Sequence, residues 1–226
     1  MPAESMLAFD NPWEVIGLIG AIVAVRVVVP RIELKKSMRA TILEFVDSIL
    51  VAALLVFCLL RPFVIQAFFI PSGSMSPTLL EGDRILVNKF IYFFRDPKPG
   101  EIVVFNAPPA ASEMDKDFIK RVVGTPGDRL CVHDEALYRN GKRIREDYIA
   151  ESPRYVWPNP GGAIEVPEGS LVVMGDNRND SNDSHKWGHW DPRTGKYVNQ
   201  PYLPRENVLG KAMLIFWPPQ RIRLLN

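Results

Sequence analysis

Residues 117–128 read DFIKRVVGTPGD. An apolar, partly β-branched run carries two adjacent cations and closes on Gly124, Pro126 and Gly127. That pattern predicts a strand ending in a turn. Side chains alternate along a strand, so Phe118, Lys120 and Val122 share one face and Ile119, Arg121 and Val123 the other. On a core-facing strand Lys120 sits among apolar neighbours and loses its hydration. On the solvent face of an edge strand it is an ordinary ammonium, with Arg121 paired to an acid. The sequence around it leaves both readings open.

Working outward, the same kind of run recurs as RILVNKF (84–90), EIVVFN (101–106), SLVVMG (170–175) and KAMLIFW (211–217), separated by Gly, Pro, Asp and Asn clusters. YRNGKR (138–143) holds Asn140-Gly141, a tight-hairpin signal. No helix-period stretch follows Ile70. The expected fold is mainly β, an antiparallel β-sheet domain. RYVWPNPGGAIEVPEG (154–169) is the expected irregular excursion, and FIYFF (90–94) is either a shallow lipid anchor or a hairpin packed into the core.

The first third of the chain is different. WEVIGLIGAIVAVRVVV (13–29) and a second apolar stretch, from about Val46 to about Ile65, are both long enough to propose as transmembrane helices. Arg26 sits near an end of the first, where it can reach the headgroups. The first twelve residues carry Glu4 and Asp10 and no basic residue, unlike a cleaved signal peptide. PRIELKKSMRA, between the spans, has Arg31, Lys35, Lys36 and Arg39 against Glu33, so the loop is expected in the cytoplasm. The N-terminus and everything after about Ile65 are then extracytoplasmic. The net charge of +1 and the lack of basic runs argue against nucleic acid as a partner. Cys58 and Cys131 are not expected to pair.

Just past the second span comes FFIPSGSMSPTL (68–79), where Pro71 and Pro77 restrict the backbone around Ser72, Gly73, Ser74 and Met75. It reads as a turn or as a rigid seat for a hydroxyl. A nucleophile at Ser74 needs a base. His133, His185 and His189 are available by count. Lys120 qualifies if burial lowers its pKa by about two units. HKWGH (185–189) spaces two histidines four apart, but Gly188 and the flanking Asp and Pro oppose a helix there. No metal site is expected. GDNRNDSNDSHKWG (175–188) leaves a strand end as a polar loop.

Together, IPSGSMSPTLLEGDRILVNK, FIKRVVGTPGD and GDNRNDSNDS, in this order after a membrane segment, resemble three boxes of the type I signal peptidase family, the bacterial leader peptidases. The match covers residues 70–89, 117–128 and 175–188. The resemblance implies a membrane-bound serine endopeptidase that removes signal peptides from exported precursors with a Ser/Lys dyad and no cofactor. It makes Ser74 the nucleophile and Lys120 the general base. The Ser74 N–H and Ser72 hydroxyl become the oxyanion hole. Ser181 orients the lysine amine, Asp183 supports the site, and Asp176 with Arg121 forms a structural ion pair. Ile70, Met75, Leu79, Phe118 and Ile119 become the lining of shallow pockets for small substrate residues.

The implied domains are a membrane anchor (1–65), a catalytic core (66–128 and 167–226) and a small β insert (129–166). The implied partners are signal peptides with small residues near the cut, the lipid bilayer and the secretion translocon, at a bacterial plasma or inner membrane. Two departures stand out. His185 occupies a position where the family often has an arginine beside the Asp183 carboxylate, and Phe118 replaces a common tyrosine. Two rivals come from other classes. One is a catalytically silent membrane-anchored paralogue that binds signal sequences or translocation components, and the other a self-cleaving repressor. The intact Ser74, Lys120 and Ser181 speak against the first. The membrane spans and the lack of a DNA-binding helix pair speak against the second.

Overall fold

The computed structural model of the chain describes residues 12–32, 35–60, 64–158 and 161–225. They form two compact units, divided between Ala67 and Phe68.

In the N-terminal unit, α1 (Pro12–Val28) is followed by α2 (Lys36–Leu54), which runs on as a π-helical turn over Leu55–Leu60. Arg26 Nε meets Asp47 Oδ1 at 2.5 Å, tying one helix to the other. Among the described residues, one helix, Lys36–Phe57, is long and apolar enough to cross a membrane. The 17 residues of α1 span about 26 Å, short of a hydrocarbon core of about 30 Å. The helix expected from Val46 begins ten residues earlier, at Lys36. Residues 36–45 contain neither Pro nor Gly, so nothing breaks the helix there, and the basic segment is partly its first turn. The span expected to reach about Ile65 is helical to Leu60 and Ile65 already opens a strand, with residues 61–63 outside the described residues.

The second unit is mainly β. Its principal sheet contains β1 (Ile65–Phe69), β2 (Arg84–Asn88), β3 (Ile102–Asn106), β4 (Asp117–Gly124), β9 (Ser170–Met174), β12 (Leu203–Pro204), β13 (Val208–Trp217) and β14 (Arg223–Leu224). The order is β1-β2-β13-β3-β4-β9-β12, with β14 also on β13. The pairs β2–β13, β13–β3, β3–β4 and β4–β9 are all antiparallel. A second sheet holds β5 (Arg129–His133), β6 (Ala136–Arg139), β7 (Lys142–Arg143) and β8 (Ile164–Glu165). Asn140 and Gly141, both at positive φ, make the two-residue turn between β6 and β7. The hairpin of β10 (Gly188–Asp191) and β11 (Lys196–Asn199) stands apart.

The run IVVF in β3 is buried throughout because both faces of that strand are covered. On one side lies a cluster with Ile70, Met75, Leu79, Val104 and Ile215. On the other lies a cluster with Val103, Phe105, Val173 and Trp187. A third core, with Leu130, Val132, Trp157 and Met174, sits under the insert. FIYFF is neither hairpin nor core strand. It forms a 3-10 turn over Phe90–Phe93 with Tyr92 inward and Phe93 and Phe94 exposed.

Candidate active site

After β1 the chain makes a 3-10 turn over Gly73–Met75. The turn is pinned at several points. Ser76 N–H donates to the Gly73 carbonyl at 3.0 Å, and Asn177 N–H donates to the Ser74 carbonyl at 3.1 Å. The Asn177 side-chain amide reaches the Gly73 carbonyl at 3.2 Å. Ser72, in extended backbone just ahead, makes no capping bond to the turn.

β4 brings Lys120 to this turn. The strand is interior, between β3 and β9, so Lys120 does not sit on an exposed edge; it is 4% exposed. Its Nζ lies 2.8 Å from Ser74 Oγ and 2.8 Å from the Ile119 carbonyl. Burial of the ammonium pushes the Lys120 pKa down to about 8, although Asp183 and Asp176 pull it up through space. A lysine so placed spends a usable fraction of its time as a neutral amine near neutral pH.

A cleft of about 460 Å³ opens over the pair. Ser72, Ser74, Phe118, Ile119 and Lys120 line it together with Glu81, Asp180 and Asn182. Ile70, Met75 and Leu79 are not in that lining. They are buried in the core cluster beneath, because this stretch of turn packs its apolar side chains inward.

The third polar loop closes the site from behind. Asp183 is fully buried and accepts Gly175 N–H at 2.8 Å. His185 Nδ1 lies 2.6 Å from its other oxygen. Burial opposes the charge of Asp183, but the His185 ring and the Gly175 N–H hold its carboxyl below the ordinary range. Arg121 grips Asp176 with two bonds, Nε to Oδ1 at 2.8 Å and Nη2 to Oδ2 at 2.6 Å. Thr78 adds a third bond to the same carboxylate at 2.5 Å. Ser181 Oγ is buried beside Asp183, whose charge it helps hold, and makes no hydrogen bond to the Lys120 amine. It stands beside Gly175, where an added β-carbon would be 2.3 Å from Ser181 Oγ and 2.4 Å from the Ser74 carbonyl oxygen. Glycine is required there to let two chain segments approach. Among the described residues, no cluster of His, Cys, Asp or Glu is arranged to hold a metal ion.

Sequence reasoning missed Gly175, Thr78, Arg178, Glu146 and Tyr155. Arg178 lies inside the quoted loop, but its buried partner Glu146 is in the insert, and nothing in the spacing joins them.

Residues 42–217 match the family of signal peptidases, peptidase S26. A probable signal peptidase I-2 of Synechocystis is 44% identical over 169 residues, 74% of this chain and 70% of that protein. A signal peptidase I of Leptolyngbya laminosa is 40% identical over 72% of this chain and 74% of its own. Signal peptidase I P of Bacillus subtilis subsp. natto is 33% identical over 84% and 96%. With that family model spanning most of the chain and relatives up to 44% identical, the chain belongs to the signal peptidase family, peptidase S26.

Proposed function

We propose that the chain is a membrane-bound serine endopeptidase that cuts signal peptides from exported precursors, with Ser74 as nucleophile and Lys120 as general base. The 2.8 Å approach of a buried amine to the Ser74 hydroxyl carries this reading. Neutral Lys120 takes the hydroxyl proton as Ser74 Oγ attacks the scissile carbonyl. The resulting ammonium gives that proton to the departing amine, leaving an acyl-enzyme. Water, deprotonated by the same lysine, then releases the signal peptide's new carboxylate. The Ser74 N–H and the Ser72 hydroxyl, which does not cap the turn, are the proposed oxyanion donors. Losing one such donor costs about 3 kcal/mol. Ser181 is the proposed partner of the lysine during the cycle, and its burial beside Gly175 and the Ser74 carbonyl supports that role. Phe118 and Ile119 offer the apolar cleft surface for small residues near the cut.

The proposed anchor is two spans, with the N-terminus and catalytic domain extracytoplasmic and the basic loop inside. Apolar side chains exposed along both helices support it, among them Trp13, Val25, Phe45 and Val51. A serine about 14 residues past Leu60, where the second helical segment ends, is tethered near the membrane and meets a bilayer-embedded substrate at high effective concentration. The translocon is the proposed source of those substrates.

The test uses the full chain in detergent with a precursor substrate. Ser74→Ala, Lys120→Ala and Lys120→Arg are each expected to abolish cleavage, Ser74→Ala while melting as the parent does. Arginine fails because it keeps its proton throughout the working range. Full activity in any of these variants removes the dyad, and a parent chain that binds precursor without ever turning it over indicates a silent binder.

A further inference from the structure

The segment from Glu146 to Tyr155 belongs to the insert and supplies no residue to the catalytic cleft. Three of its side chains nevertheless close on residues that frame the site. Glu146 pairs with Arg178 at 2.7 Å, with both side chains almost fully buried. The Tyr148 ring covers the Arg121 guanidinium at 4.0 Å. Tyr155 stacks on the His185 imidazole, centroids 4.1 Å apart and planes within 7° of parallel. The Arg154 N–H adds a bond to Asn179 Oδ1 at 2.8 Å.

Two of these contacts lead to one residue. The Gly175 carbonyl accepts Arg178 Nε at 2.9 Å, and Arg178 is held by Glu146. The Gly175 N–H donates to Asp183 at 2.8 Å; Asp183 is held by His185, and His185 by Tyr155. Both backbone polar groups of Gly175 therefore trace back to the insert. Gly175 in turn touches the Ser74 carbonyl so closely that no β-carbon fits between them. Any displacement of Gly175 is passed to the nucleophile.

We propose that Glu146 and Tyr155 are positioning residues: through Arg178 and His185 they fix Gly175, and through Gly175 they fix Ser74 against Lys120. This rests on the dyad reading above. A buried ion pair is a poor stabilising device when an apolar pair could fill the space, so its retention beside a catalytic loop fits a geometric task. Tyr155 contributes its ring, since its hydroxyl is buried without a partner. Small misplacements of reacting groups cost large factors in rate, which makes such a brace worth keeping.

The experiment compares the full-length parent, Tyr155→Phe, Tyr155→Leu, Glu146→Gln and Ser74→Ala on a precursor substrate, well below each melting temperature. Tyr155→Phe is expected to match the parent. Tyr155→Leu and Glu146→Gln are expected to lower kcat about tenfold with KM unchanged within about twofold. In Tyr155→Leu the acid limb of the kcat/KM profile should also move. That limb reports Lys120, which Asp183 and Asp176 face, and Asp183 loses its fixed partner. A folded Tyr155→Leu enzyme with the kcat and pH profile of Tyr155→Phe overturns the proposal. If Tyr155→Leu does not fold, a folded Glu146→Gln with parental kcat overturns it. An inactive Ser74→Ala beside such results condemns the positioning role alone, whereas an active Ser74→Ala removes the dyad and this inference with it.

Discussion

Two lysines stand opposite the same residue. In the sheet register Val103 of β3 pairs with Lys120 on β4 and with Lys211 on β13. Lys211 is partly exposed, and its Nζ meets Glu101 Oε1 at 3.0 Å. Glu101 also accepts Arg95 Nη2 at 2.6 Å and the Tyr92 hydroxyl at 3.2 Å. Burial raises that carboxyl, but Arg95, the Lys98 N–H and Lys211 together hold it at about 2. Lys120 is more deeply buried, and its hydrogen bonds go to a hydroxyl and a carbonyl, not to a carboxylate. One lysine is paired with a carboxylate in a charge network. The other has been dried without a counter-charge in contact. The two differ in both burial and pairing, and the lysine whose pKa falls is the one that is buried with its acids out of contact.

The sharpest way to break this contrast is Lys120→Met. Precursor cleavage is expected to fall by more than about a thousandfold, since general-base catalysis and nucleophile activation are both lost. Stability should hold or rise, by about 1 kcal/mol, because methionine fills the site with no ammonium to dehydrate. A clear drop in melting temperature would mean that Lys120 serves the fold.

Gly175→Ala tests the geometry without touching the charge. The added carbon collides with the Ser74 carbonyl and with Ser181. Cleavage is expected to fall about a hundredfold, with a stability loss of about 1–3 kcal/mol from overpacking. A fully active, fully stable variant would show that Ser74 needs no tight support from behind.

The proton itself can be followed. Folded Lys120 releases it near 8, against 10.5 for an ordinary lysine. Between those values the unfolded chain binds more protons than the folded one, so stability rises with pH across that window. Below about 8 the full penalty applies, on the order of 3 kcal/mol. The stability of the parent relative to Lys120→Met should therefore climb between pH 8 and 10.5 and stay flat below, as read by denaturant titration at each pH. On the same grounds kcat/KM should rise as pH increases through about 8. A flat difference across the window would place an ordinary ammonium at this position.

The sequence carried the fold unevenly. Runs such as IVVF and LVVM declared strands because burial on both faces leaves no polar position in them. Asn140-Gly141 declared its hairpin through backbone freedom. The start of α2 was obscured because apolarity begins well after helicity does. At the site, alternation alone could not say whether Lys120 was buried, since that depends on β9 pairing with β4 and on the Gly73–Met75 turn reaching Lys120, both distant in the chain. The three boxes named the chemistry together, not singly. The brace from Glu146 and Tyr155 was illegible: its contacts are aromatic stacking and one buried ion pair between segments with no shared periodicity. Ile70, Met75 and Leu79 were misleading for the opposite reason, since an apolar residue beside a nucleophile reads alike whether it lines the cleft or roofs the core.

The smallest expected effect is the most direct control on the comparison. Lys211→Met removes the paired lysine from the neighbouring strand. Glu101 keeps Arg95, the Tyr92 hydroxyl and the Lys98 N–H, so its charge stays solvated by the protein. The pair being broken is partly exposed, and methionine preserves the apolar stem, so the loss should be about 0.5–1 kcal/mol. Cleavage should stay within about twofold of the parent, because Lys211 contributes nothing to the cleft. The two methionine variants thus separate the lysines by opposite signatures, one losing activity and keeping stability, the other the reverse. If Lys211→Met also silenced the enzyme, the row through Val103 would be coupling the charge network to the dyad, and the two lysines could no longer be treated as independent.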